Sequence, residues 1–227
     1  MKKGLGGVFL SFAILYFIFS CSPVRSIRPL EKGQSAVNLS LGGPITQVGK
    51  TYLPLPLICM GYNYGLLQTM DIEAGLNFTD LLFGIANIQI GANWRPILPE
   101  TYRPGFIVSP RFFAMTDFTP GASRFYPDIG LTALWKIRKQ YYCYVGWDNW
   151  IELNSVRDDG LKQQHHWLVA PYVGTDLGND CWSFQVEIKL YTPNLSNQGR
   201  PTKNIGAGEK GIFGVLLGVS RYFGDKD

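Results

Sequence analysis

Beyond residue 20 the chain lacks any run that could cross a membrane as a helix. Thr51 to Met70 comes nearest, being uncharged, but Pro54, Pro56, Gly61, Asn63 and Gly65 fit a helix poorly. A strong charge of one sign is missing too. With Lys2 and Lys3 set aside as part of a leader, the 21 basic residues fall to 19, against 17 acidic ones, so no polyelectrolyte partner, nucleic acid included, is implied. His165 and His166 are the only histidines, and no pair among the four cysteines has metal-site spacing. Cys59, Cys143 and Cys181 follow Cys21, an odd set that cannot pair completely within one chain. Cys59 and Cys143 fall in apolar stretches, where a free thiol packs as a small hydrophobe; a disulfide is the alternative for an exported chain.

What the chain does have is alternation. From Cys181 to Tyr191, Trp182, Phe184, Val186, Ile188 and Leu190 form one apolar set, while Ser183, Gln185, Glu187, Lys189 and Tyr191 form a polar one. A period of two means a strand. Phe213, Val215, Leu217 and Val219 alternate with glycines and Ser220 in the same way, and Ile72, Ala74, Leu76 and Phe78 alternate with Asp71, Glu73 and Asn77. Mean hydropathy near zero, with 14% aromatic residues and 26 glycines, is what transmembrane strands produce when lipid-facing and lumen-facing residues average out.

The N-terminus places this pattern outside the cytoplasm. Lys2 and Lys3 precede an apolar run to Ser20, the layout of a secretory signal. The run ends Ile18-Phe19-Ser20-Cys21, which resembles a bacterial lipobox and makes Cys21 the expected lipidation site. We therefore expect residues 1–20 to be a signal peptide, 21–33 a tether and 34–227 a barrel. Ten strands are expected, at about 34–45, 53–65, 70–78, 83–94, 105–117, 128–137, 141–153, 167–177, 181–193 and 211–223, most near the roughly 9–11 residues that cross a bilayer when tilted. The connections then alternate short and long, as periplasmic turns and external loops do, with 95–104 longer than its side requires. Tyr64, Trp94, Trp135, Tyr141, Trp182 and Phe223 gather at the short-turn ends as an aromatic girdle. Pro110 and Pro171 fall within strands and Pro54 and Pro56 near the start of another, so bulges are expected there.

The final Gly218-Val219-Ser220-Arg221-Tyr222-Phe223 is similar to the terminal strand of bacterial outer-membrane proteins, apart from Arg221 and the residues after Phe223. With the lipobox, the mature chain resembles small outer-membrane β-barrel lipoproteins. The resemblance implies an all-β, closed antiparallel up-and-down transmembrane barrel in a Gram-negative outer membrane, with a lipid anchor on the periplasmic side. No catalytic set comes with it.

Inward positions carry Asp71, Glu73, Arg111, Lys136, Asp148, Glu152, Asp176, Glu187 and Lys189. Ten strands sit near the size at which side chains fill a barrel, and unpaired buried charge is costly. A lumen charge network is therefore the leading expectation, with Glu187 and Lys189 facing Arg111 or Lys136. It goes with a structural or interaction role, no enzyme activity, and no metal or cofactor. Three alternatives stay open. One is a narrow channel or carrier for a small solute. Another is a lipid-modifying enzyme using His165 or His166 with Ser155 or Ser196; a loop metal site with Asp158 or Asp159 is of similar weight. The last is a lipid-anchored, lipocalin-like soluble barrel with its apolar face inward. Gly206 to Gly211 spells GxGxxG, but a polar loop precedes it and a strand follows, so it reads as a loop rather than a dinucleotide site. Its neighbours Arg200, Lys203 and Lys210 suit lipopolysaccharide phosphates, although a solvated loop is the plainer reading. Outer-membrane lipid is the expected surrounding.

Overall fold

Period-two segments rich in aromatic and branched residues form strands wherever they can pair, and here they pair all the way round. The computed structural model describes residues 24–119, 123–156, 162–198 and 203–224; the expected signal peptide and Cys21 lie outside them. The strands are β1 (Ser35–Val48), β2 (Thr51–Pro54), β3 (Ile58–Leu67), β4 (Met70–Asn77), β5 (Ile85–Ile97), β6 (Gly105–Asp117), β7 (Ser123–Arg138), β8 (Tyr141–Ile151), β9 (Trp167–Gly178), β10 (Trp182–Ser196) and β11 (Lys210–Phe223). One short helix, α1 (Phe78–Leu82), sits between β4 and β5.

From β3 to β11 each strand is hydrogen-bonded to the next, β1 pairs with β3, and β11 returns to β1 from Ser35↔Phe223 to Pro44↔Gly214. The pairings are antiparallel, so the sheet is a closed ten-stranded barrel. β2 pairs only with the far end of β1, as a hairpin projecting past the wall. That hairpin divides the expected second strand: Leu55, Pro56 and Leu57 break it, and the wall resumes at Ile58.

The faces follow the alternation. Phe184 is 61% exposed and Leu217 50%, whereas Glu187 and Lys189 between their neighbours are fully buried. Apolar side chains thus point outward and polar ones inward, which overturns the lipocalin-like alternative. One end carries tight turns such as 139–140 and 179–181, the other long connections such as 152–166 and 197–209. The long connection expected at 95–104 shrinks because β5 runs on to Ile97 through a register shift after Trp94.

Proline acts differently from the expected bulges. Around Pro110 the β5–β6 ladder skips from Gly91↔Arg111 to Trp94↔Val108 without changing register, while the ladder to β7 continues through Pro110↔Ile129. The β9–β10 ladder stops at Tyr172↔Lys189, just short of Pro171, which stays paired with Trp147 on the other side. A missing N–H silences the ladder on one side only. Register shifts occur elsewhere, at Gly65/Leu67, Lys136/Arg138 and Tyr191/Ser196.

The expected tether takes another path. A turn at Glu31–Gln34, with Gln34 N donating to Glu31 O at 3.1 Å and Gly33 at φ 84°, folds residues 24–32 back into the lumen. Gly65 admits this segment closely: a Cβ there would lie 2.0 Å from Glu31 O. Ile27 packs among Ile107, Leu134, Tyr142, Tyr144 and Tyr172, and Leu30 against Ala36 and Tyr222. Toward the long-loop end the lumen is apolar as well, filled by Ile85, Phe113, Met115, Tyr126, Trp150 and Leu168, with Phe113 stacked on Trp150 at 4.1 Å between centroids. The filling is thus partly hydrophobic, beyond the charge network that sequence reasoning supplied.

Candidate functional site: the occupied lumen

Inward positions of neighbouring strands bring six buried carboxylates together in the barrel: Asp71, Glu73, Asp128, Asp148, Asp176 and Glu187. The strands answer with three buried cations, Arg95, Arg111 and Lys189. Arg25 and Arg28 of the N-terminal segment, both buried, make up most of the difference. Charge balance is the physical reason this segment lies inside, because carboxylates removed from water need nearby cations.

Asp148 is the hub. Arg25 forms an ion pair with it, Lys189 Nζ donates to its Oδ2 at 3.2 Å, and the Arg111 NH2 group reaches its Oδ1 at 3.4 Å. Arg111 also donates through Nε to Asp128 Oδ2 at 2.9 Å and lies 3.9 Å from Glu73. Lys189 lies 3.1 Å from Glu187 Oε1, and Tyr144 OH donates to Glu187 Oε2 at 3.1 Å. A second group joins Asp71 to Arg95, with Asn93 donating to Asp71 at 2.8 Å and to Glu73 at 3.0 Å. A third holds Arg28, which donates to Asp176 at 2.7 Å and to Asn179 O at 2.6 Å.

Both plug arginines also meet aromatic faces. The Arg25 guanidinium carbon is 5.5 Å from the Tyr172 centroid, and that of Arg28 is 4.9 Å from Tyr222 and 6.0 Å from Tyr142. Gly130 leaves room for Arg25, since a Cβ there would sit 2.5 Å from its NH2 group.

The structure therefore places Asp71, Glu73, Arg111, Asp148, Glu187 and Lys189 in one connected lumen, with Asp148 rather than Glu187 lying between Arg111 and Lys189. Two expected members stand apart. Glu152 pairs with Arg124 at 3.2 Å near the long-loop end. Lys136, two residues before the end of β7, is half-buried at the short-turn mouth, too far along the barrel to meet the middle of β10. It lines a cavity of about 530 Å3 there with Arg28, Lys32, Lys139, Gln140 and Asp180. Sequence reasoning missed Arg25 and Arg28 because residues 24–32 have no period. It missed Arg95 because the expected boundary cut it off just beyond the end of one strand, and it passed over Asp128 at the first position of another, where the inward parity set by Lys136 already applied.

Tyr64, Trp94, Trp135, Trp182 and Phe223 all point outward near the short-turn end, and Tyr141 is half-buried beside them. Arg221 lies over Trp182 at 4.8 Å and over Phe223 at 5.7 Å, which explains a cation where an apolar residue was expected. His165 and His166 are exposed, and His166 Nδ1 lies 2.7 Å from the Glu152 carbonyl oxygen; Asp158, Asp159 and Arg200 lie outside the described residues. Cys59, Cys143 and Cys181 are free thiols. After Gly206 to Gly211 the chain runs straight into β11, so the GxGxxG spelling belongs to a loop.

No protein-family model matches the chain, and no curated protein matches it. Solved structures similar to it include the translocator domain of the autotransporter NalP from Neisseria meningitidis, at 10% identity and TM-score 0.46 over 96% of this chain and 94% of that one. An outer-membrane channel from Pseudomonas putida F1 is similar at 9% identity and TM-score 0.48, over 89% of this chain and 100% of that one. The NanC porin is similar at 11% identity and TM-score 0.43, over 83% and 98% respectively.

Proposed function

We propose that this chain is an integral outer-membrane barrel of a Gram-negative cell, sealed at rest by its own N-terminal segment, with a structural or interaction role and no catalysis. The carrying observation is the seating of Arg25 and Arg28 among lumen carboxylates, with the Phe113–Trp150 cluster filling the other half. The outward apolar belt supports membrane insertion. The turn asymmetry and the aromatic ends support an orientation with the short turns in the periplasm. Lys203 and Lys210 then lie outside, where lipopolysaccharide phosphates are the available anions.

A lipid anchor on Cys21 belongs to this reading as the alternative arrangement of the same segment. Three residues from Val24, Cys21 is within about 11 Å of it even along a fully extended chain. Val24 lies deep in the lumen, against Gly218. In the anchored arrangement we read the segment as drawn toward the short-turn mouth, with Arg25 leaving Asp148. Single-channel recording in planar bilayers tests the sealed lumen: the intact protein gives no conductance steps, and a steady open current would overturn the proposal.

A further inference from the structure

The N-terminal segment is held in the lumen as a ligand is held, not as a strand. It shares no ladder with the ten wall strands. Its main chain meets the wall where Gln185 Nε2 donates to Arg25 O at 2.8 Å and Arg95 Nη2 to Arg28 O at 3.4 Å. The other recognition is by side chain, in two cradles of the same design.

In the first, the Arg25 guanidinium lies between Asp148 and Asp128, beside the Tyr172 ring, over Gly130. In the second, Arg28 meets Asp176, the Asn179 and Gln140 carbonyls and the Tyr222 ring. There Gly178 makes the room, since a Cβ on it would lie 2.9 Å from Arg28 Nη2. Carboxylate, aromatic face and a missing Cβ together suit a flat guanidinium better than a compact ammonium. Ile27 fills an apolar pocket between the two. The cavity of about 530 Å3 at the short-turn mouth opens onto Arg28, and the Gly33 turn is where the segment can swing away.

We infer that the short-turn half of the lumen is a binding site for an extended peptide carrying arginines three residues apart with an apolar residue before the second, occupied in cis by residues 24–32. The inference rests on the sealed-lumen reading and adds a ligand class to it. A segment from a partner protein with that pattern exchanges with the resident one.

The test uses the whole chain refolded in detergent and the labelled peptide Val-Arg-Ser-Ile-Arg-Pro-Leu-Glu-Lys, with binding followed by fluorescence anisotropy. In the double variant Arg25→Glu, Arg28→Glu the resident segment is repelled and the peptide binds. Adding Asp148→Asn and Asp176→Asn weakens that binding by about tenfold or more, the scale of one lost charge-assisted hydrogen bond. A peptide with lysine in place of both arginines binds less tightly. If the reversed variant does not fold, as judged by heat-modifiable migration, Arg25→Gln with Arg28→Gln serves in its place. A folded variant that ignores the peptide, or takes a version with both arginines changed to glutamine equally well, overturns the inference. Wild-type protein that binds the peptide as tightly as the variant keeps the cradles but sinks the sealed-lumen reading.

Discussion

Replacing Asp148 by Asn removes the charge on which three lumen cations converge while keeping the side-chain volume. Breaking a buried ion pair by deleting one partner costs about 3–5 kcal/mol, because the other charge stays buried. The loss here is shared: Arg111 keeps Asp128 at 2.9 Å, Lys189 keeps Glu187 at 3.1 Å, and Arg25 keeps Asp128 at 3.6 Å and the Tyr172 ring. The expected destabilisation is therefore at the low end, about 3 kcal/mol. Urea unfolding in lipid vesicles, followed by tryptophan fluorescence, reads it directly. Changing Arg25 to Met in the same protein recovers part of the loss, since a buried pair replaced by apolar groups is often neutral. A shift below about 0.5 kcal/mol for the single change, the size of an exposed pair, would refute the dry, coupled cluster described above.

Other expectations follow from the same geometry. Val186→Arg, on the outer face of β10, lowers folding yield into vesicles and costs about 2–4 kcal/mol if Val186 sits near the bilayer midplane; an unchanged yield argues that this face meets water. Cys181, exposed beside the β9–β10 turn, is shielded from a membrane-impermeant maleimide in intact cells and labelled after the outer membrane is opened, and labelling of intact cells would invert the proposed orientation. Asp80 of α1 has its acidity lowered by burial, opposed by the hydrogen bond from Asn87. Its folded pKa is raised, so its contribution to stability is full below the unfolded value and is lost as pH rises through the folded one. Asp80→Asn then stabilises the fold at neutral pH, and a loss there contradicts this. Mature protein carrying acyl chains on Cys21, checked by mass, leaves an Arg25→Cys thiol open to reagent from the short-turn side, whereas the unacylated form protects it; equal protection in both would refute the two-arrangement reading of the segment.

Much of the barrel was legible because alternation is a strong local signal: Phe184, Val186 and Ile188 had to share a face, and the long polar loops, with the export leader expected before them, favoured the outer one. Strand limits such as 105–117 fell out directly from flanking Pro and Gly. The site was less legible. Asp148 and Lys189 could be named as inward, but which charges meet depends on register and stagger between distant strands, so Lys136 was grouped with residues well above it. Residues 24–32 carry two arginines and a proline in a short aperiodic stretch, and nothing local distinguishes a solvated linker from a segment drawn inside by surplus carboxylates. The apolar half of the lumen broke the simple rule that inward means polar: Phe113 lies between Phe112 and Ala114, and Trp150 between Asn149 and Ile151, so the alternation there does not separate the faces by polarity.

The Glu31–Gln34 turn also constrains the order of assembly. The wall is sealed by a seam between the first and last strands, and the enclosed segment is joined to the first of them. The ring must therefore either close around those nine residues or receive them afterwards through the short-turn mouth. In the first route the surplus acids are neutralised before the seam zips, so the N-terminal arginines would act as an internal template whose loss slows closure more than it weakens the finished barrel.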